Sequence, residues 1–140
     1  MLINTEKITV RYAETDQMGV VYHANYLVWC EIGRTRIIEE MGFNYAALEK
    51  LGVLAPVTKV NINYHFPARY GEEITVKTWI EKYNGVRLTY GYEILNGEGK
   101  KCLTGTSEHV SVNKDTFRPI SLRKHFPDWH EAYEKHKKQA

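Results

Sequence analysis

The stretch Arg11-Tyr12-Ala13-Glu14-Thr15-Asp16-Gln17-Met18-Gly19-Val20-Val21-Tyr22-His23-Ala24-Asn25-Tyr26 carries a strand-like segment through a glycine turn into the start of an amphipathic run. An ionised carboxylate just ahead of a helix start lies close to free backbone N–H groups and to the positive end of the helix dipole. Acyl transfer needs those two things: a group that attacks a carbonyl or activates water, and donors that hold the resulting oxyanion. Gly19 can enter positive φ and aim the N–H groups near His23 at a ligand, so the expected oxyanion hole is backbone. With no metal and no Ser/His/Asp set, the chemistry falls on Asp16, assisted by His23 and Tyr12. Spacing alone leaves a second reading open, with Asp16 as a turn or helix-cap residue and His23 as a half-buried histidine with a satisfied ring. Glu14, two residues from Asp16 in an irregular turn, is given no chemical role.

Outward from this stretch, Tyr26, Cys30, Gly33, Ile37 and Met41 recur at helical spacing, while Glu31, Arg34, Arg36, Glu39 and Glu40 fall largely elsewhere. This predicts one long helix from about Asn25 to Met41, closed by Gly42. Gly33 in its middle costs about 1 kcal/mol against Ala and suits a helix lying tightly on a sheet. Tyr45 to Leu51 is a short second helix ended by Gly52. The first strand is expected over Ile8 to Tyr12. From Leu54 to Asn113 the pattern is strands: Val60, Ile62, Tyr64 and Phe66 alternate with polar residues, as do Ile74, Val76, Thr78 and Ile80. Asn84-Gly85 signals a two-residue hairpin, followed by Val86, Leu88, Tyr90, Tyr92 and Ile94 on one face. Asn96-Gly97-Glu98-Gly99 turns the chain into a strand from about Lys101 to Val112. The apolar sheet face and the long helix need each other as cover, which gives an α+β class. Ser121 and the pair Asp128 and Glu131 mark helix starts, with a C-terminal helix from about Trp129 to Lys138.

Tyr12-x-x-x-Asp16-x-x-Gly19-Val20-Val21-Tyr22-His23-x-Asn25-Tyr26 resembles the signature of the 4-hydroxybenzoyl-CoA thioesterase family of hotdog-fold enzymes, especially its short-chain acyl-CoA thioesterase branch associated with the Tol-Pal cluster. Asn63-Tyr64-His65-Phe66-Pro67-Ala68-Arg69-Tyr70-Gly71-Glu72 resembles the same family's Tyr-x-x-Pro-Ala-Arg segment. The likeness runs from about Ile8 to Val112 and implies a hotdog fold, an antiparallel sheet wrapped around one long central helix. It implies Asp16 as the catalytic carboxylate, the backbone at His23 as oxyanion donor, and Tyr12 and His23 as partners of Asp16. Gly19, Tyr22 and Asn25 would support the turn and the hole. It further implies a dimer of edge-joined sheets with sites at the subunit interface, often a tetramer of such dimers. The family's basic run at a later hairpin tip is replaced here by Asn84-Gly85-Val86. Lys59, Arg69, Lys82, Arg87 and Arg118 are candidates for coenzyme A phosphates, and each reads as well as a solvated surface residue.

The 140 residues, 43% of them hydrophobic, make one domain. Its 19 basic and 17 acidic side chains give +2 and are mixed along the chain, which argues against a nucleic-acid partner. The basic tail Lys135, Lys137 and Lys138 beside His136 suits a helix C-terminus. Cys30 and Cys102 read as buried thiols in a reducing compartment, and no apolar run is long enough for membrane insertion, so a cytoplasmic protein is expected. His125, His130 and His136 read as solvated helix residues, and His65 and His109 as satisfied strand histidines; no metal site is expected. Aromatic residues on the third strand read as core or subunit interface, not as a base-stacking face. The expectation is an acyl-CoA thioesterase without cofactor, coenzyme A being part of the substrate. The alternatives are a non-catalytic acyl-CoA-binding or regulatory module of the same fold and, less favoured, a hydratase.

Overall fold

The computed structural model describes residues 1–139. Strand β1 (Ile3–Thr9) leads through a one-turn 3-10 helix (Tyr12–Glu14) and the glycine turn into α1 (Asn25–Glu40) and α2 (Tyr45–Lys50). Then follow β2 (Val53–Leu54), β3 (Val57–Tyr64), β4 (Glu73–Tyr83), β5 (Arg87–Leu95), β6 (Lys101–Val110), β7 (Val112–Asn113), α3 (Leu122–His125) and α4 (Pro127–His136). Five strands form one antiparallel sheet in the order β1-β4-β5-β6-β3, and β2 pairs with β7 in a small second sheet.

The core forms where α1 lies on this sheet. Tyr26, Trp29, Cys30, Gly33, Ile37 and Ile38 of the helix are buried against Ile74, Val76, Thr78 and Ile80 of β4 and Leu88, Tyr90, Tyr92 and Ile94 of β5. Gly33 permits the approach, because a Cβ there would collide with the Thr78 side chain. No helix among the described residues is long and apolar enough to cross a membrane. Cys30 and Cys102 are both buried and unpaired, and burial pushes their thiols up to about 12 and about 11.

Five expectations need correction. The first strand runs from Ile3 to Thr9, not Ile8 to Tyr12, and Tyr12 opens the 3-10 turn instead. Its inward positions are Asn4, Glu6 and Ile8; Ile8 packs on the core, while the other two meet polar groups of α1, Asn4 Nδ2 donating to Glu40 Oε1 at 2.8 Å and Glu6 pairing with Arg36 at 3.5 Å. The β4–β5 hairpin closes one residue later than Asn84-Gly85, since the Asn84 N–H donates to Arg87 O and leaves Gly85 and Val86 as the loop. Gly85 takes φ +96°, while the Asn84 side chain accepts from the N–H groups of Val86 and Arg87. The fourth long strand stops at Val110, and Val112 leaves the main sheet to pair with Leu54. The C-terminal helix begins at Pro127, the fixed φ of proline suiting a first turn, and Asp128 sits inside that turn with no capping role. Finally, of the apolar face of β3 only Ile62 packs against the core, and it is half-buried. Val60 and Tyr64 are each 46% exposed, because β3 is an edge strand that α1 does not cover.

Two histidines also have more structure than expected. His130 Nδ1 is bonded to Tyr83 OH at 2.7 Å, which fixes α4 on β4. His109, buried on β6, ends a chain of hydrogen bonds whose direction follows from donor capacity. The Ala55 carbonyl can only accept, so His109 Nδ1 carries the proton (3.3 Å) and Nε2 accepts from the Ser107 hydroxyl (2.8 Å). Ser107 then accepts from Tyr92, which in turn accepts from Arg34 Nη1 at 3.0 Å.

Burial, and next the Arg34 charge, push the His109 ring down to about 4, against the opposing pull of the Ala55 carbonyl. The unfolded chain therefore binds more protons than the folded one between pH 6.5 and 4. The stability due to the neutral ring is fully present above about pH 6.5 and is lost as pH falls toward 4, a change on the order of 2–3 kcal/mol. Urea midpoints measured across this window should fall steeply for the wild type and less for His109→Asn; equal slopes would contradict the assignment.

Candidate functional site

Glu14 sets the geometry of the turn. Its backbone carbonyl accepts from the Tyr22 N–H at 2.9 Å and from Asn25 Nδ2 at 3.0 Å, which ties the 3-10 turn to the start of α1. Its carboxylate is buried, accepting from the Arg11 N–H at 2.8 Å and from Trp29 Nε1 at 3.0 Å. Burial alone would raise this carboxyl, but the bonds from Arg11 and Trp29 and the Arg11 charge hold it below the usual carboxylate range. The sequence reading assigned Glu14 nothing. Its partner Trp29 is fifteen residues away on another element, and no local pattern joins the two.

Between these anchors the chain folds back on itself. Thr15 and Val21 form an antiparallel bridge, the Asp16 N–H donates to Val20 O at 3.0 Å, and the Gly19 N–H donates to Asp16 O at 3.0 Å. Gly19 has φ +78°, the conformation anticipated from the sequence. Val21 N–H donates to Ala68 O and Ala68 N–H to Tyr26 OH, so the Pro-Ala-Arg segment forms the floor of the loop. Asp16, half-buried, uses Oδ1 to accept from the Met18 N–H at 2.9 Å. Its Oδ2 has no partner among the described residues.

The N-terminus of α1 is open. Its N-cap is Ala24, which offers no side-chain acceptor. The Asn25 N–H is taken by Tyr22 O, but the N–H groups of His23 and Ala24 have no acceptor among the described residues. Asn25 therefore supports the turn and does not cap the helix. The loop thus carries a carboxylate oxygen and two backbone donors that are all unengaged, in an electropositive helix terminus.

The other site candidates are placed as follows. Tyr12 is 77% exposed with its ring edge-on to Tyr70, and no hydrogen bond joins it to Asp16 or His23 within the protomer. The His23 ring stacks on Tyr22 at 4.5 Å, and its carbonyl accepts from Tyr64 OH at 3.0 Å. Of the five basic residues, only Arg69 adjoins the loop, next to Ala68. Lys59 lies on β3 opposite Glu108, and Arg118 follows β7. Lys82 and Arg87 flank the hairpin at the opposite end of β4 from the Val10–Glu72 bond that holds the loop down. Among the described residues no three His, Cys, Asp or Glu side chains converge as metal ligands.

Glu14→Gln keeps the shape of the anchor but turns one oxygen into a donor facing the Arg11 or Trp29 N–H. A loss of about 1–3 kcal/mol in urea unfolding is expected from the unmatched buried donors. Wild-type stability would contradict the anchoring role.

The sequence profile described as the thioesterase-like superfamily matches residues 10–131. YneP of Bacillus subtilis (strain 168), provisionally named an acyl-CoA thioesterase, is 56% identical over 138 residues, 99% of this chain and 100% of that protein. The acyl-CoA thioester hydrolase YbgC of Escherichia coli O6:H1 is 34% identical over 117 residues, 84% of this chain and 87% of its own. A DHNA-CoA thioesterase structure from Staphylococcus aureus superposes with a TM-score of 0.93 at 49% identity, covering 96% of this chain and 91% of that one. The hotdog architecture expected from the sequence is borne out. On its fold and on these likenesses, the chain belongs to the thioesterase-like superfamily.

Proposed function

We propose that the protein hydrolyses the thioester of an acyl-CoA to the free acid and coenzyme A at the Asp16 loop. The observation that carries this is the coincidence, on one anchored turn, of the free Asp16 Oδ2 and the free N–H groups of His23 and Ala24. In the reaction the thioester oxygen sits against those N–H groups, which stabilise the negative charge it gains. Asp16 either attacks the carbonyl carbon, giving a mixed anhydride that water then cleaves, or removes a proton from the attacking water. In both routes the C–S bond breaks and the coenzyme A thiolate leaves and is protonated. Tyr12 and the His23 ring orient Asp16 or the water. Relatives named as thioesterases support the same activity.

The trio Tyr12, Asp16 and His23 and the likeness to YbgC support the short-chain, Tol-Pal-associated branch. The larger likeness to a DHNA-CoA thioesterase supports an aromatic acyl group, and we favour that reading. A non-catalytic acyl-CoA-binding module has no use for an ionised carboxylate beside a bound carbonyl, where desolvation is costly. We also assign the chain to a cytoplasmic homo-oligomer, a dimer through β3 or a tetramer of such dimers. In support, the unpaired edge of β3 adjoins exposed Val57, Val60 and Tyr64 and the exposed Leu27 and Val28 of α1. Arg69 is the coenzyme A phosphate ligand most consistent with the loop's position.

Asp16→Asn preserves the turn, because its amide oxygen can still accept from the Met18 N–H, and it removes the base. Thiol release from acyl-CoA should fall by at least two orders of magnitude with an unchanged melting temperature; near-wild-type turnover would remove Asp16 from the mechanism. Light scattering on the wild-type chain should give a dimer or a higher multiple, and a monomer at micromolar concentration would end the β3 assignment.

A further inference from the structure

The start of α1 is held from outside the helix. An N-cap residue ordinarily has an extended backbone and a side-chain acceptor for the first N–H groups. Ala24 has neither: its φ of −68° and ψ of −25° are already helical, and its methyl group accepts nothing. The peptides Tyr22–His23 and His23–Ala24 carry the unengaged N–H groups, yet the carbonyls of Tyr22 and His23 are both engaged. Tyr22 O accepts from the Asn25 N–H at 2.9 Å, and His23 O accepts from Tyr64 OH at 3.0 Å. No other donor among the described residues reaches His23 O. A carbonyl can only accept, so the Tyr64 hydroxyl gives its proton to this bond.

Tyr64 is firmly placed for that task. It ends β3 opposite Leu103 of β6, and the contact with β6 runs on through His65 and Phe66, whose N–H groups donate to Cys102 O and Lys101 O. Its ring lies 5.6 Å from that of Tyr26, a buried residue of α1, and stands edge-on to the His23 ring at 6.3 Å. The sheet thus carries a hydroxyl to a carbonyl 41 residues earlier in the chain. His23 O and the Ala24 N–H are the two ends of one planar peptide unit. Fixing the oxygen therefore fixes the direction of the N–H. A hydrogen bond accepted at the oxygen also polarises the unit and makes its N–H a stronger donor.

We propose that Tyr64 is a positioning residue of the oxyanion hole. Through His23 O it orients and polarises the His23–Ala24 peptide, so that the Ala24 N–H meets the thioester oxygen as charge develops there. This rests on the thioesterase reading given above and adds to it a residue from outside the Asp16 loop. Tyr64 acts through the peptide and needs no contact of its own with the reacting atoms. A water molecule can satisfy His23 O in its place, but water does not fix the peptide plane. The loss then falls on the transition state, where the oxygen carries most charge.

Tyr64→Phe keeps the ring against Tyr26 and removes only the hydroxyl. With benzoyl-CoA and butyryl-CoA as probes, kcat should fall about ten-fold, roughly the effect of one neutral hydrogen bond, while KM stays within about two-fold. The melting temperature and the molecular mass by light scattering should not change. A kcat within about two-fold of the wild type overturns the assignment. So does a loss that appears in KM or comes with a changed mass, because Tyr64 then acts through binding or through assembly at β3. A second arm needs no turnover. In Asp16→Asn, the infrared band of an isotope-labelled thioester carbonyl is read with each probe bound. Adding Tyr64→Phe should move that band toward the frequency of the free thioester, and an unmoved band overturns the role. If the wild type hydrolyses neither probe, the failure lies with the thioesterase reading, and the infrared arm still decides Tyr64. A band that differs between the two variants supports the positioning role, and a bound carbonyl at the free frequency in both overturns it.

Discussion

The buried carboxylate of Glu14 is the point on which the site depends. A carboxylate out of water is unfavourable unless its oxygens are bonded, and here one accepts from the Arg11 backbone and the other from the Trp29 indole. Trp29 is itself wedged between α1 and the sheet, so the core of the fold fixes a surface turn. The carbonyl of Glu14 holds Tyr22, just ahead of the helix, and Asn25, its first residue. Once these are fixed, the Thr15–Val21 bridge closes the turn that carries Asp16, a few residues before the unengaged N–H groups of His23 and Ala24. The turn is tied to the core through these bonds, and such fixed anchoring is what a pre-organised electrostatic site requires.

The rest of the fold presents α1 to that turn. Gly33 lets the helix sit on β4 closely enough for Trp29 and Ile37 to be excluded from water, and a side chain there would have to displace Thr78. The same closeness brings Arg34 over Tyr92 and fixes the hydrogen-bond chain that ends at Ala55. One helix thus presents an apolar surface to the sheet and an uncovered one at Leu27 and Val28 beside the edge of β3.

What could be read from the sequence depended on whether a signal was local. The β4 and β5 faces were legible because each strand has one side on α1 and the other in water, so alternation reports burial directly. Gly19, Gly42 and Gly52 were legible because positive φ suits glycine wherever the partners are. The first strand was misplaced because its inward residues Asn4 and Glu6 are satisfied by Glu40 and Arg36, so polarity there does not report exposure. The reverse happened on β3, where an apolar alternation lies on an edge and stays exposed within the protomer. Asp16 and the open helix start could be inferred from one short stretch. Glu14, Trp29, Arg34 and His109 could not, since their meaning lies in contacts between elements 15 to 58 residues apart.

The central claim is that the thioester oxygen is held by the backbone of His23 and Ala24 beside residue 16. It is tested most directly by a crystal structure of Asp16→Asn with an unhydrolysed acyl-CoA bound. The account predicts the thioester oxygen at roughly 3 Å from one or both of those N–H groups, with the amide at position 16 against the carbonyl carbon. A thioester seated away from the start of α1, with those N–H groups still facing solvent, would contradict it.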